Sequence, residues 1–383
     1  MGRCGSIDKL PRSRLPLIVP SRVQSRVKKL LRHKFFTGAV KFGLAAGLIA
    51  WLFYGILSNE QKAAQLKQIV EGPKDLRLFA LAFGLFLTSI VLSFVRWQAL
   101  VRALGFDFST RDALRLGFLG YLFNFVAPGG VGGDIFKAVF IARQFHGRRA
   151  QAVATVVLDR IIGLYALLLV ATATVLIEGL PFSDDARIRR IALGTLIFTA
   201  TGAIFLMMLI VPGFTQGRVS KFLAGLPRTG RVFQQLLEAI RLYREQMPVL
   251  AGAFAVSILV HLLAVGAFYS LGRALPGDSP SLAEHFVIMP LAMVVGALPI
   301  TPNGLGTFEV AVEQLFPILS AAKVPGSRGV IVSLIYRIIS IAIAMVGVVL
   351  YFAARRDVAA ALHEAEETEA GEVAESLAGE RRL

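Results

Sequence analysis

Six stretches of this 383-residue chain are long and apolar enough to cross a bilayer, at roughly 38–57, 76–95, 150–177, 188–211, 247–271 and 329–353. A hydrocarbon core of ~30 Å takes about 20 apolar residues of helix to span. The 55% hydrophobic content and mean hydropathy of +0.66 agree, being far above those of an ordinary soluble domain. The chain therefore reads as an all-α polytopic membrane protein, with a membrane domain over about 37–353.

Charge sets the orientation. Residues 1–36 carry ten Lys or Arg against one acid, Asp8, and the tail 354–383 is acidic and expected to be disordered. The connections at 96–115, 143–149 and 213–246 are basic, whereas those near 178–187 and 272–284 carry Glu178, Asp184, Asp185, Asp278 and Glu284. Positive-inside logic places both termini in the cytoplasm of a cell (inner) membrane, against the dissent of Arg187, Arg189 and Arg190. The net charge of +16 is thus a matter of topology and anionic lipid. No aromatic-interleaved basic patch or zinc-type spacing supports nucleic acid. The single cysteine, Cys4, excludes an intrachain disulfide, and the first long apolar run has no small-residue cleavage site close behind it.

Two further apolar segments, about 113–142 and 282–319, are interrupted at "APGGVGGD" (127–134) and "TPNGLGTF" (301–308). Each is flanked by loops assigned to one side, which predicts a re-entrant hairpin whose broken backbone is buried in protein or lines a wet cavity. The two breaks share the pattern small–Pro–(Gly/Asn)–Gly–(Val/Leu)–Gly, with an acid six or seven residues past the proline, Asp134 and Glu309. An intramembrane arginine follows in each half, Arg160 32 residues after Pro128 and Arg337 35 residues after Pro302. Three spans and a hairpin per half give an odd number of crossings, so the second half is inverted relative to the first. Paired hairpins in such repeats meet near the midplane.

The candidate site residues follow from this frame. Arg160, beside Asp159, and Arg337, beside Tyr336, each place a charge at mid-helix, which costs about 3 kcal/mol on insertion scales and demands a partner or a cavity. Each either locks helix packing through an ion pair or presents its fork of donors to an anionic headgroup. At the breaks, Pro128, Gly130 and Gly132, and then Pro302, Gly304 and Gly306, interrupt the helices and let backbone amides approach a ligand. Glycines that merely permit tight helix packing remain the alternative. Asp134 and Lys137 share one face after the first break, able to pair with each other or with Asp159 and Arg160. Glu309 and Glu313 share a face after the second, within reach of Arg337. Asn124 precedes the first break, where its side chain could satisfy freed carbonyls. His261 is alone in an apolar span, and Arg96-Trp97 reads as an interfacial anchor closing the second span.

Other chemistries are not encoded. The glycine loop lacks the Lys-Ser/Thr of a nucleotide P-loop, and no H-E-x-x-H or G-x-S-x-G occurs. No metal site and no cofactor are expected.

At "APGGVGGDIFKA", "LDRIIGL", "PITPNGLGTFE" and "LIYRI" the chain resembles the lysyl-phosphatidylglycerol synthase transmembrane-region family, also called flippase-like or UPF0104, over most of residues 40–353. In bifunctional members a flippase-type membrane domain precedes an aminoacyltransferase domain. The chain ends soon after its last span, so the resemblance implies the lipid-translocating half alone. Asp134 and Glu309 match the family's acidic positions, while Lys137 stands where arginine is common. The expectation is a non-enzymatic translocase for an anionic or aminoacylated phospholipid, with membrane lipids as its partners and a lipid synthase or a second copy as candidate protein partners. The alternatives are a membrane-embedded transferase acting on a lipid-linked sugar or amino acid, and a non-transporting partner of a lipid synthase.

Overall fold

The computed structural model describes residues 40, 42–126, 132–145, 148–210, 241, 243–298 and 300–353. The basic segment 1–36, the tail 354–383, most of the 213–246 loop, and the candidates Pro128 and Gly130 lie outside them.

All regular structure among these residues is helical. Helices α1 (Phe42–Leu57) and α2 (Glu60–Glu71) lead to α3 (Leu76–Ala103), α4 (Thr110–Val126), α5 (Gly132–Gln144), α6 (Arg149–Ile177) and α7 (Ala186–Ile210). The second half contains α8 (Met247–Ala274), α9 (Leu282–Ala297), α10 (Thr307–Leu319) and α11 (Gly326–Ala353). Five of them, α3, α6, α7, α8 and α11, are long and apolar enough to cross a membrane, at the positions expected. The first expected span is described over Phe42–Leu57. On α7, Ile197, Phe198, Ile204, Phe205 and Met207 point outward, an oily exterior that suits lipid rather than water.

Local signals explain the boundaries. The Asp75 carboxylate accepts from the amides of Arg77 and Leu78 to start α3. Ser281 and Glu284 form a capping box on α9. The second span runs past its expected end at residue 95 to Ala103, because Arg96 and Trp97 are buried rather than interfacial.

Helices α4 and α5 pack against each other, as do α9 and α10. At about 1.5 Å per residue, the 13 residues of α5 or of α10 rise only about 20 Å, too little to span. The first hairpin enters and leaves beside the end of α3. There Arg102 Nε donates to Phe108 O at 2.7 Å, and Arg148 Nη2 donates to Leu104 O at 2.8 Å. The second enters and leaves beside the end of α8, where the Ala321 amide donates to Glu284 Oε1 at 2.6 Å and Arg328 donates to the carbonyls of Gly272, Leu275, Pro276 and Gly277.

The two ends are opposite. The Asp75 amide at the start of α3 donates to Ala274 O at the end of α8 (3.0 Å), while Arg96 late in α3 reaches Ser257 early in α8. Helices α3 and α8, the second spans of the two repeats, are therefore antiparallel and form the central contact. Around them the packing repeats: α4 packs on α11 of the other half and α9 packs on α6. This is the inverted repeat read from the sequence. Among the described residues, two large apolar cores result, one holding Phe136, Ile141 and Val156 around the first hairpin and the other Phe308, Val312 and Phe316 around the second, with a smaller cluster of Leu52, Ile56 and Val330 between α1 and α11.

Candidate functional site

Where the two repeats meet lies a cavity of about 530 Å³, lined from both. The first contributes Asn124, Asp134, Lys137, Asp159 and Arg160, and the second Thr301, Asn303, Phe308, Tyr336 and Arg337. The hairpins thus bring together side chains that lie up to 213 residues apart, from Asn124 to Arg337.

The second hairpin tip is built around backbone geometry. Pro302 opens a single 3-10 turn, Asn303 takes φ 47°, and Gly304 and Gly306 take φ 67° and 84°. Asparagine tolerates the left-handed region and glycine enters it freely. Space imposes glycine independently: a Cβ on Gly304 would fall 2.5 Å from Gly296 O, and one on Gly306 2.7 Å from Leu48 Cβ. The glycines expected to approach a ligand therefore approach α9 and α1 instead.

Glu309 is fully buried and joins two jobs. Its Oε2 accepts from the Gly306 amide at 2.7 Å, and its Oε1 accepts from Arg337 Nε at 3.0 Å. Arg337 also donates through Nη1 to Asn303 O (3.0 Å) and through Nη2 to Gly304 O (3.3 Å), and stacks 5.7 Å from the Phe308 ring. All three guanidinium nitrogens are engaged in pinning the tip. Glu313 does not join this group; it packs against Gly326, where α11 begins.

The first half differs. Arg160 Nε pairs with Asp134 Oδ2 at 2.6 Å, but its side chain is 54% exposed within the opening. Its Nη groups meet no acceptor among the described residues. The Asn124 side chain caps an amide rather than the carbonyls expected, accepting from Gly133 N at 3.0 Å. Gly132, buried, opens α5, and the close approach falls on its neighbours: a Cβ on Gly133 would come 1.9 Å from Gly120 O. Gly120 also makes room for Lys137, whose Cε would lie 2.9 Å from a Cβ there. Lys137 pairs with neither Asp134 nor Asp159. Its ammonium sits 5.0 Å from the Trp97 ring and 5.4 Å from that of Phe94.

Arg96 is the residue that sequence reasoning misplaced. It is 7% exposed, and it donates through Nε to Asp159 Oδ1 (2.8 Å) and through Nη1 to Ser257 Oγ (2.7 Å), tying α3, α6 and α8. Its position just past the expected end of the second apolar run, at residue 95, suggested an interfacial anchor. Only the matching acid at Asp159 could have hinted otherwise. Trp97 is buried too, its Nε1 donating to Thr155 Oγ1 at 3.3 Å. Next to this cluster His261 shares a hydrogen bond with Gly163 O through Nε2 at 2.8 Å.

At the matching place in the second half the charges are replaced by rings. Tyr336, which precedes Arg337 as Asp159 precedes Arg160, lies 4.3 Å from the ring of Phe86 on α3 and 5.5 Å from that of Phe268 on α8. The cavity is therefore polarised, with the half-exposed Arg160 on the first repeat's side and a locked, aromatic wall on the second's.

Comparison with known proteins matches residues 38–355 to the family described as Lysylphosphatidylglycerol synthase TM region. The chain is similar to a UPF0104 membrane protein of Methanothermobacter thermautotrophicus, 25% identical over 247 residues that cover 58% of this chain and 72% of the relative. A second, of Pyrococcus horikoshii, is 24% identical over 293 residues, 70% of this chain and 83% of the relative. A third, of Methanocaldococcus jannaschii, is 22% identical over 270 residues, 66% and 77%.

Proposed function

This chain belongs to the Lysylphosphatidylglycerol synthase TM region family, and from that premise we propose that it is a lipid translocase of the cytoplasmic membrane, moving a lipid with an anionic headgroup between leaflets. The observation that carries this reading is the cavity at the meeting of the two hairpins, into which Arg160 turns donors that no described residue uses. A guanidinium fork suits a phosphate, whose oxygens can accept two parallel hydrogen bonds. Acyl chains remain in the surrounding lipid while the headgroup crosses at the cavity. Inverted repeats of this kind are the usual basis for alternating access, one half rocking against the other around the site. Arg337 acts as a positioning residue, holding the second hairpin tip in place. Both termini lie on the cytoplasmic side, and no covalent chemistry is involved.

The test is leaflet exchange of fluorescent phospholipids in proteoliposomes containing the full chain. Wild type is expected to accelerate exchange of anionic lipids over protein-free vesicles, and Arg160→Ala to abolish the acceleration. Equal rates with and without protein across anionic, zwitterionic and aminoacylated lipids overturn the proposal.

A further inference from the structure

We infer that the cavity selects a headgroup bearing one negative charge, a phosphodiester whose other substituent is uncharged; the inference rests on reading the cavity as a lipid site. The argument is a charge balance. Three cations around the cavity are matched: Arg96 by Asp159 at 2.8 Å, Arg160 by Asp134 at 2.6 Å and Arg337 by Glu309 at 2.9 Å. Lys137 is the fourth. It is 9% exposed and meets no carboxylate among the described residues. Residues 127–131, Ala-Pro-Gly-Gly-Val, carry no ionisable side chain. His261 adds no charge, since its buried Nδ1 has no hydrogen-bond partner among the described residues, as suits an unprotonated nitrogen.

The Trp97 and Phe94 rings soften the ammonium's desolvation without cancelling its charge. An isolated charge away from water is costly, and a ligand with one negative charge would supply the counter-charge that no described carboxylate gives Lys137. Lys137 and Arg160 line the same cavity, and a phosphate there could meet both cations. A dianion exceeds this balance by one charge. A zwitterionic or aminoacylated headgroup brings an ammonium, and Asp134, Asp159 and Glu309 already face cations. The neutral polar groups of Ser93, Asn124 and Asn303 in the lining suit a hydroxylated substituent such as glycerol or a sugar.

The test titrates the purified full chain in an uncharged detergent and reads apparent Kd from lipid-induced thermal shifts. The probes are phosphatidylglycerol, a polyprenyl phosphosugar, phosphatidic acid at about pH 8 where the monoester carries close to two charges, phosphatidylethanolamine and lysyl-phosphatidylglycerol. At least one of the first two is expected to bind about tenfold or more tightly than the other three, and which one it is identifies the source of the phosphodiester. Lys137→Gln and Arg160→Gln should each weaken that lipid by roughly ten- to a hundredfold. Asp134→Asn leaves Arg160 unmatched and should shift preference toward phosphatidic acid, a change that loss of fold cannot produce. If Lys137→Gln does not fold, Arg160→Gln and Asp134→Asn decide. Equal or tighter binding of the zwitterionic, aminoacylated or doubly charged lipid by wild type overturns the inference, as does unaltered binding in both glutamine variants. Diester-selective binding without leaflet exchange leaves it standing and removes translocation; exchange without headgroup preference does the reverse.

Discussion

Glu309 holds Arg337 at 2.9 Å with one carboxylate oxygen and the Gly306 amide at 2.7 Å with the other, so the charge pair and the turn of the second hairpin are one unit. Glu309→Gln keeps the hydrogen bond to Gly306 within reach but strands a buried guanidinium. Breaking a buried pair on one side costs about 3–5 kcal/mol. Arg160→Ala removes a side chain that is 54% exposed and holds one partner, and should cost about 1 kcal/mol or less. Unfolding in detergent should therefore rank Glu309→Gln and Arg337→Ala well below Arg160→Ala, even though Arg160→Ala is the variant expected to lose transport.

The Arg96–Asp159 pair should behave as a replaceable unit. Each single change, Arg96→Met or Asp159→Leu, leaves the partner buried and uncompensated. The double variant substitutes the apolar packing that the second half already uses, where Phe86, Phe268 and Tyr336 meet at the corresponding place. Well-packed apolar replacements of buried pairs are often neutral or stabilising. A double-mutant cycle on unfolding is expected to recover more than half of the summed single losses.

Much of this arrangement was legible beforehand. Membrane spans are written as uninterrupted apolar runs, and the P-x-G-x-G echo between 128–132 and 302–306 carries the repeat even at low similarity. Identical chemistry at Arg160 and Arg337 concealed their different employment, because the difference lies in where Asn303 O and Gly304 O point once the tip has turned. Arg96 was misread because a charge late in an apolar run looks the same whether it snorkels outward or meets Asp159 inward. Gly120 and Gly133 went unnoticed because an in-helix glycine marks a close approach only once its neighbour is known.

Substitutions at the two hairpins should separate conformation from contact. Gly304→Ala meets both a left-handed backbone, costing about 1–2 kcal/mol, and a carbonyl at 2.5 Å, so it should be among the most damaging single-methyl changes in the protein. Gly133→Ala meets no unusual φ but a backbone oxygen at 1.9 Å, and should force α4 and α5 apart. Gly84→Ala, with open space around it, serves as the control and should leave expression and the unfolding midpoint near wild type.

The inverted topology makes a prediction that depends on none of these energies. Asp107 and Gln144 flank the first hairpin and are exposed, as are Asp278 and Ala322 around the second. Since α3 and α8 are antiparallel, the two pairs lie at opposite ends of the bundle. With Cys4 replaced by serine, single cysteines at Asp107 and Gln144 should react with a membrane-impermeant maleimide from one side of the bilayer only. Cysteines at Asp278 and Ala322 should react only from the other. In intact cells the proposed orientation, with the basic connections cytoplasmic, has the second pair label and the first remain silent until the membrane is opened. Labelling of a hairpin's two flanks from different sides would mean that it crosses the membrane rather than returning. The cavity would then lose one of the two tips that form it.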